Sequence, residues 1–221
     1  MTNTLHRKGS VEELKGDYVI FTSIAKDYKP GSAPKIHEFL RICNKYGPVN
    51  IGSSKLGSVL QDDVDFNDLV IKLKDGSTSA AVFTDVDTLQ KVVSDLVEAD
   101  LGISINISGL LEGAHECCGK SGIQRHSLEQ SLGFWGAKDR LPEREVIEIT
   151  TLCGHGMVSF NLIRKMMEYV RMRRLTPKKA ATIMGKCCEC AVFNTYRAER
   201  ILEKELEQGE GETSSIPKSS K

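Results

Sequence analysis

The sequence predicts an α/β (α+β) protein, with an N-terminal ferredoxin-like split-βαβ sandwich followed by a strand-and-helix C-terminal half that carries a cysteine site. Three observations lead there. Residues 15–110 alternate extended and helical apolar patterns in the order β-α-β-β-α-β. Residues 111–207 hold six of the seven cysteines, in three clusters. The flanks, residues 1–14 and 208–221, are polar, and are expected to be a loose N-terminal arm and a disordered, low-complexity tail.

Asp17 to Ala25, rich in β-branched and aromatic residues, is the first predicted strand. Ser32 is placed to cap a helix beginning at Ala33-Pro34, and Ile36, Phe39, Leu40, Ile42 and Cys43 form its apolar stripe. Cys43 on that stripe reads as a core thiol. Residues 48–65 look like a loop. Asp68 to Lys74 and Ser79 to Thr84 read as paired strands about an Asp75-Gly76 hairpin turn. Asp85 or Asp87 caps the next helix, with Leu89, Val92, Val93 and Leu96 on one side, and Gly102 to Ser108 is the closing strand.

In the second half, Gly109 to Gly119 reads as a short helix, and Ser127 to Trp135 and Glu145 to Thr151 as strands. Ser159 caps a helix with a stripe of Leu162, Ile163, Met166, Met167 and Val170. Thr176-Pro177 starts another by the cap-then-proline rule, and Asn194-Thr195 starts the last.

Composition narrows the function. Thirty basic residues balance thirty acidic ones, which argues against a nucleic-acid partner, whose phosphates need a basic surplus. No apolar run approaches the roughly 20 residues that span a bilayer, so no membrane partner is expected. The first residues lack the apolar segment of a secretory signal, which points to the cytoplasm. In a reducing compartment, cysteines signal metal or thiol chemistry before disulfides. Neither G-x-G-x-x-G nor a phosphate-binding Lys-Ser/Thr loop is present, which disfavours a nucleotide.

The chemistry centres on Thr150-Thr-Leu-Cys153-Gly154-His155-Gly156-Met157. Gly154 and Gly156 let the backbone approach a cofactor closely, and the helix start behind them lowers a thiol pKa. Cys153 and His155 are therefore the candidate catalytic residues. Cys188 and Cys190, two apart beyond a helix end, suit a thiophilic metal, whereas Cys187 continues an apolar stripe. His115-Glu-Cys117-Cys118-Gly119 would add one more thiolate, from Cys117 or Cys118. The expected ligand set is thus Cys153, Cys188, Cys190 and one of that pair, holding an iron–sulfur cluster, [4Fe–4S] before zinc. If only three cysteines bind, one iron stays open to a substrate. His155 and Arg125 are the polar groups expected to meet that substrate.

The expected function is a cytoplasmic iron–sulfur enzyme, of lyase or oxidoreductase type, acting on a small molecule. A basic run from Arg164 to Lys179 suits either an anionic substrate or an ordinary solvated face, and a homo-oligomer is compatible with all of this. Two other readings are a metal-free thiol enzyme with Cys153 as nucleophile and a zinc-stabilised binding or regulatory module.

Overall fold

Both faces of the strand Tyr18–Thr22 (β1) are apolar, and that decides the architecture. Tyr18 and Ile20 point to one face, Val19 and Phe21 to the other, and each face needs a cover. The computed structural model describes residues 7–213. In chain order, Val11–Leu14 (α1) precedes β1, and Ala33–Asn44 (α2), Asn50–Ser53 (β2), Gly57–Ser58 (β3), Phe66–Lys72 (α3), Ser79–Phe83 (β4), Val86–Ala99 (α4) and Ile105–Ser108 (β5) follow it. The second half is helical: Leu111–Lys120 (α5), Arg144–Thr150 (α6), Phe160–Arg171 (α7), Pro177–Gly185 (α8) and Thr195–Thr213 (α9). Among the described residues there are nine α-helices and one five-stranded antiparallel sheet, in the order β3-β2-β4-β1-β5.

Register explains the two cores. Val19 lies opposite Val82, and Ile20 opposite Ala81. The face carrying Tyr18, Ile20, Ile51, Ala81 and Phe83 packs against α2, α3 and α4. Cys43 is fully buried there, as its place on the stripe predicts. The face carrying Val19, Ala80 and Val82 packs against α6, α7, α8 and α9, with Ile149, Ile163, Met184, Phe193 and Leu202 among the buried residues.

Caps behave largely as their local sequence suggests. Asp85 accepts from the Thr88 amide, Ser159 from Leu162, Thr176 from Lys179 and Asn194 from Arg197. Ser32 is an exception. Its hydroxyl donates to the Lys29 carbonyl, and the amides of Gly31 and Ala33 at the start of α2 are taken instead by the Asp75 carboxylate, at 2.8 and 2.7 Å.

Several expected strands are absent. Asp68 to Lys74 is mostly helix, because the Asp65 carboxylate caps the amides of Asn67 and Asp68 and starts α3. Its Leu69 and Val70 are buried while Ile71 is 71% exposed, so the alternation reflects helical sidedness. Glu145 to Thr151 lies almost wholly in α6, held by an Arg144–Glu148 pair at 2.7 Å one turn apart. Ser127 to Trp135 has no regular structure, and residues 48–65, expected as a loop, contain the β2–β3 hairpin. The N-terminal arm is tied down from Arg7 onward, and residues 1–6 lie outside the described residues. The expected tail begins as helix, since α9 runs to Thr213; residues 214–221 lie outside the described residues.

Candidate functional site

Two loops on the second face of the sheet carry the site. The first joins α6 to α7. Thr150 donates its hydroxyl to the Val158 carbonyl at 2.7 Å and closes the loop at its base. Gly154 and Gly156 take positive φ, 75° and 73°, which a side chain would resist. The backbone N–H groups of His155 and Met157, each following one of these glycines, act on the Cys153 sulfur and lower its pKa. The two glycines thus shape a cradle for one sulfur.

The second loop joins α8 to α9. Cys188 is fully buried in it, and its sulfur accepts from the Val192 amide. Asn194 then caps α9, while its side-chain amide donates to the Gly16 carbonyl and to Asp17 Oδ1, at 2.9 and 3.0 Å. Asn50 on β2 donates to the Phe193 carbonyl at 3.1 Å. The loop is therefore fixed to the sheet on both sides.

The loops bring Cys153 and Cys188 into a hydrogen bond. Cys188 donates, and Cys153, which also receives two backbone amides, is held well below the ordinary thiol range against its own burial; the nearby His155 charge adds to this. Cys188 is pushed far up, first by keeping the shared proton and then by burial. Cys190 Sγ lies 3.4 Å from His155 Nδ1, towards solvent, and burial together with the Cys153 charge raises its pKa. The four donors stand as two pairs. Among the described residues no three or more His, Cys, Asp or Glu side chains form a ready metal cage.

Below the loops is a buried charge cluster that the sequence did not reveal. Arg7, its side chain 4% exposed, donates to the Leu152 carbonyl at 3.0 Å and to the Val192 carbonyl at 2.6 Å. It pairs with Asp17 at 3.4 Å, and Arg197 pairs with the same carboxylate at 2.8 Å. No local pattern marks an arginine in a polar N-terminal stretch as interior. Only the topology does.

The expected ligand from Cys117 or Cys118 is not delivered. Both sit on α5, and Cys117 is buried in the core on the opposite face of the sheet from Cys153. Its pKa is pushed up to about 11 by burial, with the Cys118 and Glu116 charges adding to it. Cys118 borders a cleft of about 810 Å³, shared with Asn106, Leu110, Arg125 and His126. Arg125 lines that cleft and is not among the residues around Gly154 and Gly156. Cys187 is half-buried against the helical core, its thiol towards the Ile183 carbonyl.

Gly154 and Gly156 border a second cavity of about 590 Å³, walled by Phe134, Trp135, Val158 and Phe160. In the basic run, Arg164 pairs with Glu143, Lys165 with Glu168 and Arg171 with Glu205, while Lys165 stacks over Tyr169. These internal pairs favour a solvated face over an anion site. No helix among the described residues is long and apolar enough to cross a membrane.

Chemically, the arrangement offers three soft sulfurs and an imidazole, two of the sulfurs already supplied with amide donors. No protein-family model, no curated protein and no solved structure matches the chain.

Proposed function

We propose that Cys153, Cys188 and Cys190, with His155 beside them, bind a thiophilic metal centre, and that the chain is a cytoplasmic iron–sulfur enzyme acting on a small molecule. One observation carries the reading: two separate loops aim backbone amides at Cys153 and Cys188, and those two sulfurs meet. Amide-to-sulfur hydrogen bonds stabilise thiolate and tune a thiolate-bound metal, whereas a merely packed thiol has no use for them. Cys190 and His155 are already in contact, and the Cys153 charge acts on Cys190.

Three cysteines fit a [4Fe–4S] centre with one iron left for an exogenous ligand, and the same set with His155 fits zinc. When bound, such a cluster supplies a Lewis acid or an electron. The protein's own part is to hold Cys153 as thiolate, keep Cys188 away from water and present His155 at the solvent edge. The cavity beside Gly154 and Gly156 suits a small, partly apolar substrate.

We read residues 15–110 as a ferredoxin-like unit and 111–207 as the layer that adds the centre. The strand order β2-β4-β1-β5, with α2 and α4 on one face, supports the first part. Seven unpaired thiols support a reducing compartment, and the balanced charge supports a partner other than nucleic acid.

Anaerobic purification followed by iron, zinc, sulfide and visible-absorption measurements tests the proposal. Iron with acid-labile sulfide is expected, lost in Cys153→Ser and Cys188→Ser and retained in Cys117→Ser. Stoichiometric zinc without colour makes the centre a zinc site. Protein that holds neither metal after reconstitution overturns the proposal.

The hydrogen-bonded Cys153–Cys188 pair favours one alternative, a metal-free thiol centre with Cys153 as nucleophile. In that case the reduced, metal-free protein carries the activity, and Cys153→Ser abolishes it while Cys190→Ser does not.

A further inference from the structure

Arg7 is far from the cysteines in sequence and central to them in space. Its two terminal nitrogens each take a carbonyl, Leu152 before Cys153 and Val192 after Cys190. A guanidinium is planar and forked, so it sets the spacing of two acceptors, which an ammonium cannot do equally well. The cluster is also unbalanced. Arg7 and Arg197 face a single carboxylate, Asp17, a surplus of one positive charge in a region closed to water. Burial disfavours the charge on Arg7, and Asp17 is the carboxylate that offsets it. A buried cation without a full counter-charge is costly unless an anion is meant to sit beside it.

We propose that Arg7 is the positioning residue of the cysteine centre: it staples the two loops at their roots and supplies the fixed positive charge that balances metal-bound thiolates. The inference rests on the metal reading for its charge role. The staple stands apart from that reading.

The test uses the full chain, reduced and metal-free, as wild type, Arg7→Lys, Arg7→Gln and Arg197→Lys. Arg197→Lys is the control, because the Arg197 guanidinium shares Asp17 but donates to neither cysteine loop. Two measurements are made on each protein: titration with Co²⁺, followed by its thiolate charge-transfer and ligand-field absorption, and backbone hydrogen exchange. Arg7→Gln is expected to weaken Co²⁺ binding about 10–100-fold, the range for partners that orient metal ligands. Arg7→Lys, keeping charge without the fork, falls between it and wild type with a shifted ligand-field spectrum. Exchange speeds up in residues 151–158 and 187–193 in both Arg7 variants and not in the control.

Unchanged affinity and spectrum in Arg7→Gln overturns the charge role. Unchanged exchange in both loops overturns the staple. If wild type takes up no Co²⁺, the charge role falls, the iron and zinc measurements after reconstitution decide the metal reading, and the exchange data decide the staple alone. A loss in Arg197→Lys equal to that in Arg7→Gln assigns the effect to the charge cluster as a whole and overturns the special place of Arg7.

Discussion

Thr150 and Val158, eight positions apart, are joined by a 2.7 Å hydrogen bond from hydroxyl to carbonyl, and every atom of the Cys153 cradle lies between them. The bond sets the span of the loop, so the loop need not be held by its own side chains. Val158 is fully buried, and its carbonyl has little prospect of water as a substitute. Thr150→Val keeps the shape and removes the donor. It is expected to cost about 1–2 kcal/mol in urea unfolding and to weaken metal uptake. Metal uptake equal to wild type would show that the cradle forms without the clasp.

Asp17 is fully buried and is the single carboxylate between two arginines. Removing one member of a buried ion cluster leaves charge without a partner. Asp17→Asn is therefore expected to lower stability by about 3–5 kcal/mol in denaturant unfolding, far more than loss of any surface pair such as Lys15–Glu12. A loss below about 1 kcal/mol, the level of an exposed pair, would mean that the arginines find other compensation.

Gly52 on β2 has no room for a side chain. A Cβ there would lie 2.2 Å from the Gly57 carbonyl oxygen, 2.7 Å from Ser58 Cα and 3.0 Å from Ala191 Cβ. Two of those neighbours are backbone and cannot swing away, and Ala191 adjoins Cys190. Gly52→Ala is expected to destabilise by about 1–3 kcal/mol and to disturb metal binding from the sheet side. Unfolding and metal titration at wild-type values would contradict the close approach.

Glu13 gives a pH signature. Lys204 donates to its carboxylate at 2.8 Å, and Ser10 adds backbone and side-chain donors, which hold it at about 2 against an ordinary value of 4.5. A depressed folded-state pKa contributes stability that is complete above the unfolded value. That contribution is lost as pH falls from about 4.5 towards about 2. Comparing denaturation midpoints of wild type and Glu13→Gln across that window should show the difference shrinking as pH falls. Parallel curves would remove Glu13 from the acid response.

The parts of this molecule that were legible in its sequence are those decided locally. Asp85, Ser159, Thr176 and Asn194 cap the helices that follow them because a cap needs only the next three amides. Gly154 and Gly156 take the positive φ that glycine between Cys153 and the next helix allows. The α3 and α6 segments were illegible for a physical reason: short β-branched runs suit strand or helix, and the choice falls to caps and partners elsewhere. The same applies to Cys117. Its spacing on α5 does not say which face of the sheet receives it, and that face separates it from Cys153. Arg7 and Asp17 carry no sequence signal of burial, because their burial is created by loops more than a hundred residues away.

The sheet is complete at Ser108, yet the helices that cover its Val19–Val82 face begin only with α6, and the last buried contacts come from Ile201 and Leu202. During synthesis, some 5–20 s separate the strands from their cover at about 5–20 residues per second. For that interval a growing chain displays a greasy, half-dressed sheet to the cell. The proposed centre follows the same order: Cys190 is made only just ahead of the last helix, so the three sulfurs and the cover of the sheet are completed in the same late interval.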